Sequence, residues 1–600
     1  MNKIISEVTN RIIERSKNSR QLYLTQMQKA FSKEVSRNTL SCGNLAHGFA
    51  ACSTRVKNEL SEYITPNLGI VTAYNDMLSA HKPYENYPQM IREYAEKHTA
   101  TAQVAGAVPA MCDGVTQGQD GMELSLFSRD IIALSTAIAL SHNMFDGVIN
   151  LGICDKIVPG LIIGSLKFGH LPAIFMPSGP METGISNDEK AQIRQNFAEG
   201  KIDRDELLKG ESDSYHSPGT CTFFGTANSN QMLMEIMGLQ LPGASFVNPD
   251  TQLRKLLDEE AVKIISKNCK EKDFDNTLAS IYSEKTVVNG IIGLLATGGS
   301  TNHTIHLIAM AKAAGIIINW QDFSDLSGVI PLLARVYPNG SADVNHFHAA
   351  GGVGFIVNTL LKNGLLHEDV NTILGKGLSK YTKEPKIEND KIIWVEGSKT
   401  TLNENVIRTV ETPFSKDGGL KVLKGNIGES VIKTSAVKDE YLIIEAPAVV
   451  FLTQEALMDA FKKGELDKDF IAVLPFQGPK SNGMPELHKL TPSLSILQRR
   501  GFKVALVTDG RMSGASGKVP AAIHLSPEAL DGGVISKIKT GDILSLNAVT
   551  GQLNVLNETV VLARKSAKKT IENNQGSGRE LFGNIRNIVG SSQDGASFLF

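Results

Sequence analysis

The chain has little cysteine and no closely spaced pair of cysteines. Its six thiols in 600 residues, Cys42, Cys52, Cys112, Cys154, Cys221 and Cys269, are too few for a disulfide framework and include no C-x-x-C. A structural zinc ribbon is excluded on the same ground. Charge of one sign is also missing: 61 Lys+Arg face 63 Asp+Glu, for a net charge of -2 and a pI near 6.7. No basic field is available for nucleic acid, and no acidic excess marks a disordered tail. Long hydrophobic runs are absent as well. The most apolar stretch, 287–311, is interrupted by Asn289, Thr297, Ser300, Thr301, Asn302, His303, Thr304 and His306, which excludes a membrane span. Residues 1–20 carry no secretory signal, and Glu7 and Glu14 within an amphipathic pattern argue against a transit peptide. The expected compartment is the cytoplasm.

What is present is a globular composition, 42% hydrophobic with 54 glycines, long enough for two to four domains and a large core. From residue 68 onward short apolar runs alternate with segments of helical period. Residues 68–74, 101–108, 147–153 and 172–179 read as buried strands, and 123–142, 158–168 and 189–208 as helices. That alternation predicts an N-terminal α/β layer domain with a mostly parallel sheet, 1–390, led by a helical arm. Beyond residue 390 the runs KIIWVEG, YLIIEAPAVVF, FIAVLPF, FKVALVTDG, DILSLNAV and QLNVLNETVVLA, set between turns, predict a β-rich, barrel-like domain, 391–600, with few helices. Ligands of parallel sheets bind beyond the carboxyl ends of strands, so the residues just after each strand matter most.

Several segments there could carry chemistry. G-I-C-D-K-I-V-P-G, 152–160, sets a thiol, a carboxylate and an amine (Cys154, Asp155, Lys156) at a strand end. In H-S-P-G-T-C, 216–221, a turn presents Cys221 ahead of a helix, where a thiolate is favoured. V-P-A-M-C-D-G, 108–114, again pairs a thiol with a carboxylate, Cys112 with Asp113. Alone, each reads as readily as a buried thiol beside an ordinary loop. The β-rich half offers Glu486 in N-G-M-P-E-L-H-K and Asp509, Arg511, Ser513 and Lys518 in V-T-D-G-R-M-S-G-A-S-G-K. The latter fails the triphosphate loop pattern, leaving a backbone nest suited to an anion. His303 and His306 have the spacing of zinc ligands but no acidic base between them, so capping and core roles are expected.

Taken together, these segments, with S-C-G-N-L-A-H-G-F-A-A-C (41–52), A-Y-N-D-M-L-S-A-H (73–81) and L-A-T-G-G-S-T-N-H-T (295–304), resemble the dihydroxy-acid and sugar-acid dehydratase family, and within it the phosphogluconate branch. The likeness runs nearly end to end. It implies an iron-sulfur cluster on Cys154 and Cys221, with Cys112 the candidate third thiolate and Cys42 and Cys52 its rivals. The branch with a 2Fe-2S cluster has a further Cys where this chain has Ala80, so a 4Fe-4S cluster on three thiolates is the expectation. Other members bind Mg2+ nearby, which by matching motifs implies Asp113, Asp155, Lys156 and Glu486 as ligands, the lysine carbamylated into an oxygen donor. Where the open iron already serves as Lewis acid, the Mg2+ is dispensable.

The resemblance further implies a cytoplasmic homodimer that dehydrates 6-phosphogluconate to 2-dehydro-3-deoxy-6-phosphogluconate. Ser513 would be the base, and Arg511, Lys518 or the metal would lower its pKa. Two other readings stand beside this one. A non-phosphorylated sugar acid or a branched-chain dihydroxy acid could be the substrate, or the chain could be a metal-free sugar-phosphate binding protein. Lys480, Arg499, Arg500, Arg511 and Lys518 are the basic candidates for a phosphate.

Overall fold

The computed structural model describes residues 1–512, 517–569 and 575–600. A long helix, Lys3–Ala30, opens the chain and buries Ile5, Val8, Ile12, Ser16, Arg20, Tyr23 and Met27, three or four residues apart along one face. Arg20 on that face donates to the carbonyls of Ala314, Ala279 and Tyr282 at 2.8–2.9 Å, which ties the arm to the body.

Four short strands then build a parallel sheet: β1 (Asn67–Thr72), β2 (Thr101–Ala107), β3 (Gly147–Leu151) and β4 (Ala173–Phe175), in the order β2-β1-β3-β4. Leu68 pairs with Gly147, Val148 with Ala173 and Asn67 with Thr101. β1, β3 and β4 are buried along their whole length, as expected for strands covered on both faces. The helices Ser125–Leu140 and Ile157–Leu166 cross closely at Gly160, where a Cβ would lie 2.5 Å from the Arg129 carbonyl oxygen. The expected single helix over 189–208 is two, Asn187–Ala198 and Arg204–Ser214. Asp203 ends the run by capping the second helix in a reciprocal box with Glu206.

KIIWVEG does not join the barrel. It forms β6 (Lys391–Glu396) of a hairpin with β5 (Lys383–Glu388), whose turn, Asn389-Asp390, is where the division of the chain was expected. The barrel begins later, with β7 (Leu420–Gly425) and β8 (Gly428–Lys433). It continues through β9 (Ile443–Val450), β10 (Phe470–Leu474), β11 (Val504–Thr508), β12 (Ala521–Ser526), β13 (Ile543–Asn547) and β14 (Gln552–Val555), and closes in the order β10-β11-β12-β8-β7-β14-β13-β9. Strands β9 to β12 run parallel, and the crossovers β9 to β10 and β10 to β11 contain the helices Gln454–Lys462 and Leu490–Arg499. Parallel neighbours need such crossovers, so this half carries more helix than its turn-rich sequence suggests. Among the described residues no helix is long and apolar enough to cross a membrane.

Candidate active site

Two loops of the sheet and two of the barrel converge. After β2 the chain places Cys112 and Asp113, and after β3 it places Cys154, Asp155 and Lys156. From the barrel, Arg511 follows β11 and forms a β-bridge with Glu486. Asp113, Asp155 and Glu486 are buried, with carboxylate oxygens all within 4.8 Å of one another.

Two cations hold this acidic trio. Lys156, fully buried, bonds Asp113 and lies 2.8 Å from Asp155 Oδ2. Arg511 reaches Asp113 Oδ2 at 3.0 Å, Glu486 Oε1 at 3.1 Å and Asp155 Oδ2 at 3.5 Å, while its Nε donates to the Met484 carbonyl at 2.8 Å. Burial opposes the charge of Asp155, but Lys156, His306 and Arg511 outweigh it and hold the carboxyl well below its ordinary range. Glu486 responds the other way, because burial and then the neighbouring Asp113 push it up to about 8. Glu486 thus keeps its proton at neutral pH while Asp155 stays ionised. Arg511 is spent on carboxylates and is not free for an anion in a nest.

Three thiols stand beside the trio. The neighbouring Cys154 thiol, against the opposing effect of burial, lowers Cys112 to about 7, and Cys112 in turn raises Cys154. Cys221, pushed up to about 12 by burial and then by the charge of Cys112, lies within electrostatic reach of both. Of the rival thiols, Cys42 is exposed, while Cys52 bonds to the Gly48 carbonyl at 3.5 Å and to Gln103 Nε2 at 3.3 Å. Cys269 is buried against the Asp146 carbonyl, 3.2 Å away. All six are free. Gly219 N–H donates to the Ser79 carbonyl at 2.8 Å, which lays Ser79-Ala80-His81 against the loop of Cys221.

The backbone at Cys154 is held in a conformation that L residues avoid, with φ at +87°. Such a residue costs about 1–3 kcal/mol and persists only where its surroundings enforce it. Asn230 Nδ2 donates to the carbonyls of Cys154 and Asp155 at 3.1 and 3.0 Å. His81, kept neutral by burial at about 4, donates from Nε2 to the Ile153 carbonyl at 2.8 Å. These clamps turn Cys154 toward the other thiols and Asp155 toward the carboxylates.

Several further residues take part, among them His306, for which a capping or core role was expected. His306 is neutral, because burial lowers it to about 4. Arg129 can only donate to His306 Nδ1, 3.4 Å away, so the ring proton sits on Nε2, facing Asp155 Oδ1 at 3.4 Å. Neither of those facing atoms completes a hydrogen bond, and Asn302 Oδ1 and Asn230 Oδ1 are also buried without a partner. Asn302 and Gln117 donate to the two oxygens of Glu486 at 3.5 and 3.4 Å. His303 instead bonds Ser229 Oγ at 2.8 Å, so the two histidines do not form a zinc pair. Polar residues inside an otherwise apolar helical run, such as His306 in T-N-H-T-I-H, were the available signal.

Other expected residues stand apart. Asp509 accepts from the backbone N–H groups of Gln477, Phe476 and Ala529 at 2.8–3.2 Å and braces the barrel rim. Lys480 pairs with Asp531, Arg500 with Asp467, and Arg499 with Gln195. Ser513, the expected base, lies outside the described residues.

The donor set suits two kinds of inorganic group. Three buried carboxylates with unpartnered oxygens nearby can hold a hard divalent cation once the Lys156 ammonium is neutralised or displaced. Three adjacent thiols can ligate an iron-sulfur cluster. Residues 65–381 match the family described as dihydroxy-acid/6-phosphogluconate dehydratase N-terminal, and residues 405–596 its C-terminal counterpart. The chain is 57% identical over 599 residues to the phosphogluconate dehydratase of Escherichia coli K12, covering 100% of this chain and 99% of that one. It is 58% identical over 600 residues to that of Rhizobium meliloti, covering 99% of each. The dihydroxy-acid dehydratase of Caldanaerobacter subterraneus is 33% identical over 510 residues, 82% of this chain and 86% of that one.

Proposed function

The chain belongs to the dihydroxy-acid/6-phosphogluconate dehydratase family, and from that premise we propose that it is the hydro-lyase converting 6-phosphogluconate to 2-dehydro-3-deoxy-6-phosphogluconate and water, the dehydration of the Entner-Doudoroff route. The observation that carries this reading is the likeness at 57% identity across the whole length of phosphogluconate dehydratases, against 33% over a shorter span for a dihydroxy-acid dehydratase. The reading includes a cytoplasmic homodimer built from an α/β part, 1–390, and a β-rich part, 391–600.

Cys112, Cys154 and Cys221 are proposed to ligate a 4Fe-4S cluster, and Asp113, Asp155, Glu486 and a carbamylated Lys156 a Mg2+. When bound, these groups supply Lewis acidity for the departing C3 hydroxyl and for the substrate carboxylate. The chain's own part is orientation and proton control. Asn230 and His81 fix the Cys154-Asp155 turn, while Arg511 holds Asp113 and Glu486 from opposite loops. Glu486 keeps its proton at neutral pH until a cation displaces it. Ser513 is the proposed base for the C2 proton, and a serine needs a cationic setting for that task. Arg511 is engaged with carboxylates.

A substrate panel tests the assignment. The anaerobically reconstituted chain is expected to form a 2-keto product from 6-phosphogluconate with kcat/KM at least about 100-fold above that for D-gluconate or a branched-chain dihydroxy acid. Preference for either of the latter would move the chain to another branch of the family.

A further inference from the structure

The carboxylate and thiol site leaves a second group of cations unused. The helix Asn187–Ala198 carries Lys190 and Arg194 one turn apart. Lys190 is only 8% exposed, and its ammonium lies 3.6 Å over the ring of Tyr215. It makes no hydrogen bond among the described residues, and the carboxylate nearest to it in that pairing, Glu211, is 3.9 Å away. Glu211 is already gripped by Arg194 through both of its oxygens, and the charge of Arg194 acts on Tyr215. From the barrel side the exposed Lys518 stands 5.8 Å over the ring of Tyr337, whose other charged neighbours are Arg194 and the exposed Asp188. Lys190 lies within electrostatic reach of Cys221.

A nearly buried ammonium without a hydrogen bond is costly unless an anion completes it. Lys190 and Arg194 share Glu211, while Lys518 stands over Tyr337, on which Arg194 and Asp188 also act. Arg194 is committed to Glu211 through two of its N–H groups, whereas the Lys190 and Lys518 ammonium groups make no hydrogen bond among the described residues. Such a pair matches a phosphate monoester, which brings close to two negative charges and three acceptor oxygens. We propose that Lys190 and Lys518 bind the phosphate group of the substrate, with Arg194 and Tyr215 as positioning residues that hold Lys190 in place. The assignment rests on the reading of the substrate as a phosphorylated sugar acid. It puts the phosphate on the Cys221 side of the site, with the reacting carbons toward Asp113, Asp155 and Glu486. None of Lys480, Arg500 and Arg511 is then needed, which fits their carboxylate partners.

The test compares the reconstituted full-length protein with Lys190→Gln, Lys190→Arg and Lys518→Gln. Removing one partner of a desolvated charge pair changes binding on the order of 100-fold, and of an exposed one about 10-fold. The ratio of kcat/KM for 6-phosphogluconate to that for D-gluconate should therefore fall on the order of 100-fold in Lys190→Gln, chiefly through KM. It should fall about 10-fold in Lys518→Gln and largely recover in Lys190→Arg. Inhibition by inorganic phosphate should weaken in parallel. An unchanged ratio in Lys518→Gln, whose exposed position does not threaten folding, together with an unchanged ratio in Lys190→Gln, overturns the proposal. Calorimetric titration with inorganic phosphate separates the two readings. If the wild-type chain turns over neither substrate, the dehydratase reading fails. Phosphate binding that is lost in Lys190→Gln would still support the subsite, and binding unaffected by the substitution would overturn it.

Discussion

Replacing Glu486 by glutamine removes a titrating proton from the acidic trio while keeping its shape. Burial and the charge of Asp113 push the Glu486 carboxyl up to about 8, from an ordinary value of 4.5. In cation-free protein the folded chain then retains a proton that the unfolded chain has released. Stability contributed by this group is complete below pH 4.5 and is lost as pH rises through about 8. At about 1.36 kcal/mol per pH unit across that window, the ceiling is about 5 kcal/mol. Glu486→Gln should flatten this part of the pH profile. A divalent cation acts in the opposite sense, because it binds the ionised carboxylate and competes with the proton. At a hundred times its Kd it should stabilise the wild-type chain by about 2.7 kcal/mol, more at pH 8 than at pH 5, and the variant far less. Urea midpoints at the two pH values, with and without Mg2+, measure all four quantities. Equal pH slopes in the two proteins, or an equal Mg2+ response, would refute the reasoning.

The thiols can be ranked by iron analysis: after anaerobic reconstitution Cys112→Ser should lose iron as severely as Cys154→Ser or Cys221→Ser, while Cys42→Ser keeps a full complement. Lys433, whose buried ammonium donates to the Gly298 and Gly299 carbonyls at 2.7 and 3.2 Å, is lowered by burial to about 7. Its unfolded form holds a proton up to about pH 10, so wild-type stability should climb between pH 7 and 10 by an increment that is lost in Lys433→Met, as read from urea midpoints. Gly483, at φ +78°, would carry a Cβ 2.0 Å from the Glu123 carbonyl oxygen. Gly483→Ala should therefore cost about 2–4 kcal/mol and displace the Glu486 loop, lowering turnover beyond what the melting shift explains.

The sheet was legible because strands buried on both faces read as unbroken apolar runs, and the functional loops follow them directly. Residues 147–153 and the C-D-K that ends them show this most clearly. The barrel was legible as β-rich but not as partly parallel. The helix Gln454–Lys462 fills a crossover, yet its apolar positions, Leu457 and Phe461, blend into the neighbouring strand runs. Asp113, Asp155, Lys156 and Glu486 do come together in space, and so do Cys112, Cys154 and Cys221. The role of Arg511 was not legible, because the run D-G-R-M-S-G names none of its partners and only the folded barrel brings three carboxylates to it. Asn230 and His306 act through backbone carbonyls and a second carboxylate, which no local spacing encodes. Lys190 was hidden for a different reason: it sits in a charged, surface-like helix, and the chain returns only later to lay the Tyr215 ring under its ammonium.

The most direct measurement of the central claim is turnover of 6-phosphogluconate by the anaerobically reconstituted chain as a function of its iron content. The account predicts product formation that rises in proportion to iron and saturates near about four irons per chain. Full activity in iron-free protein, or iron-saturated protein that leaves 6-phosphogluconate untouched, would contradict it.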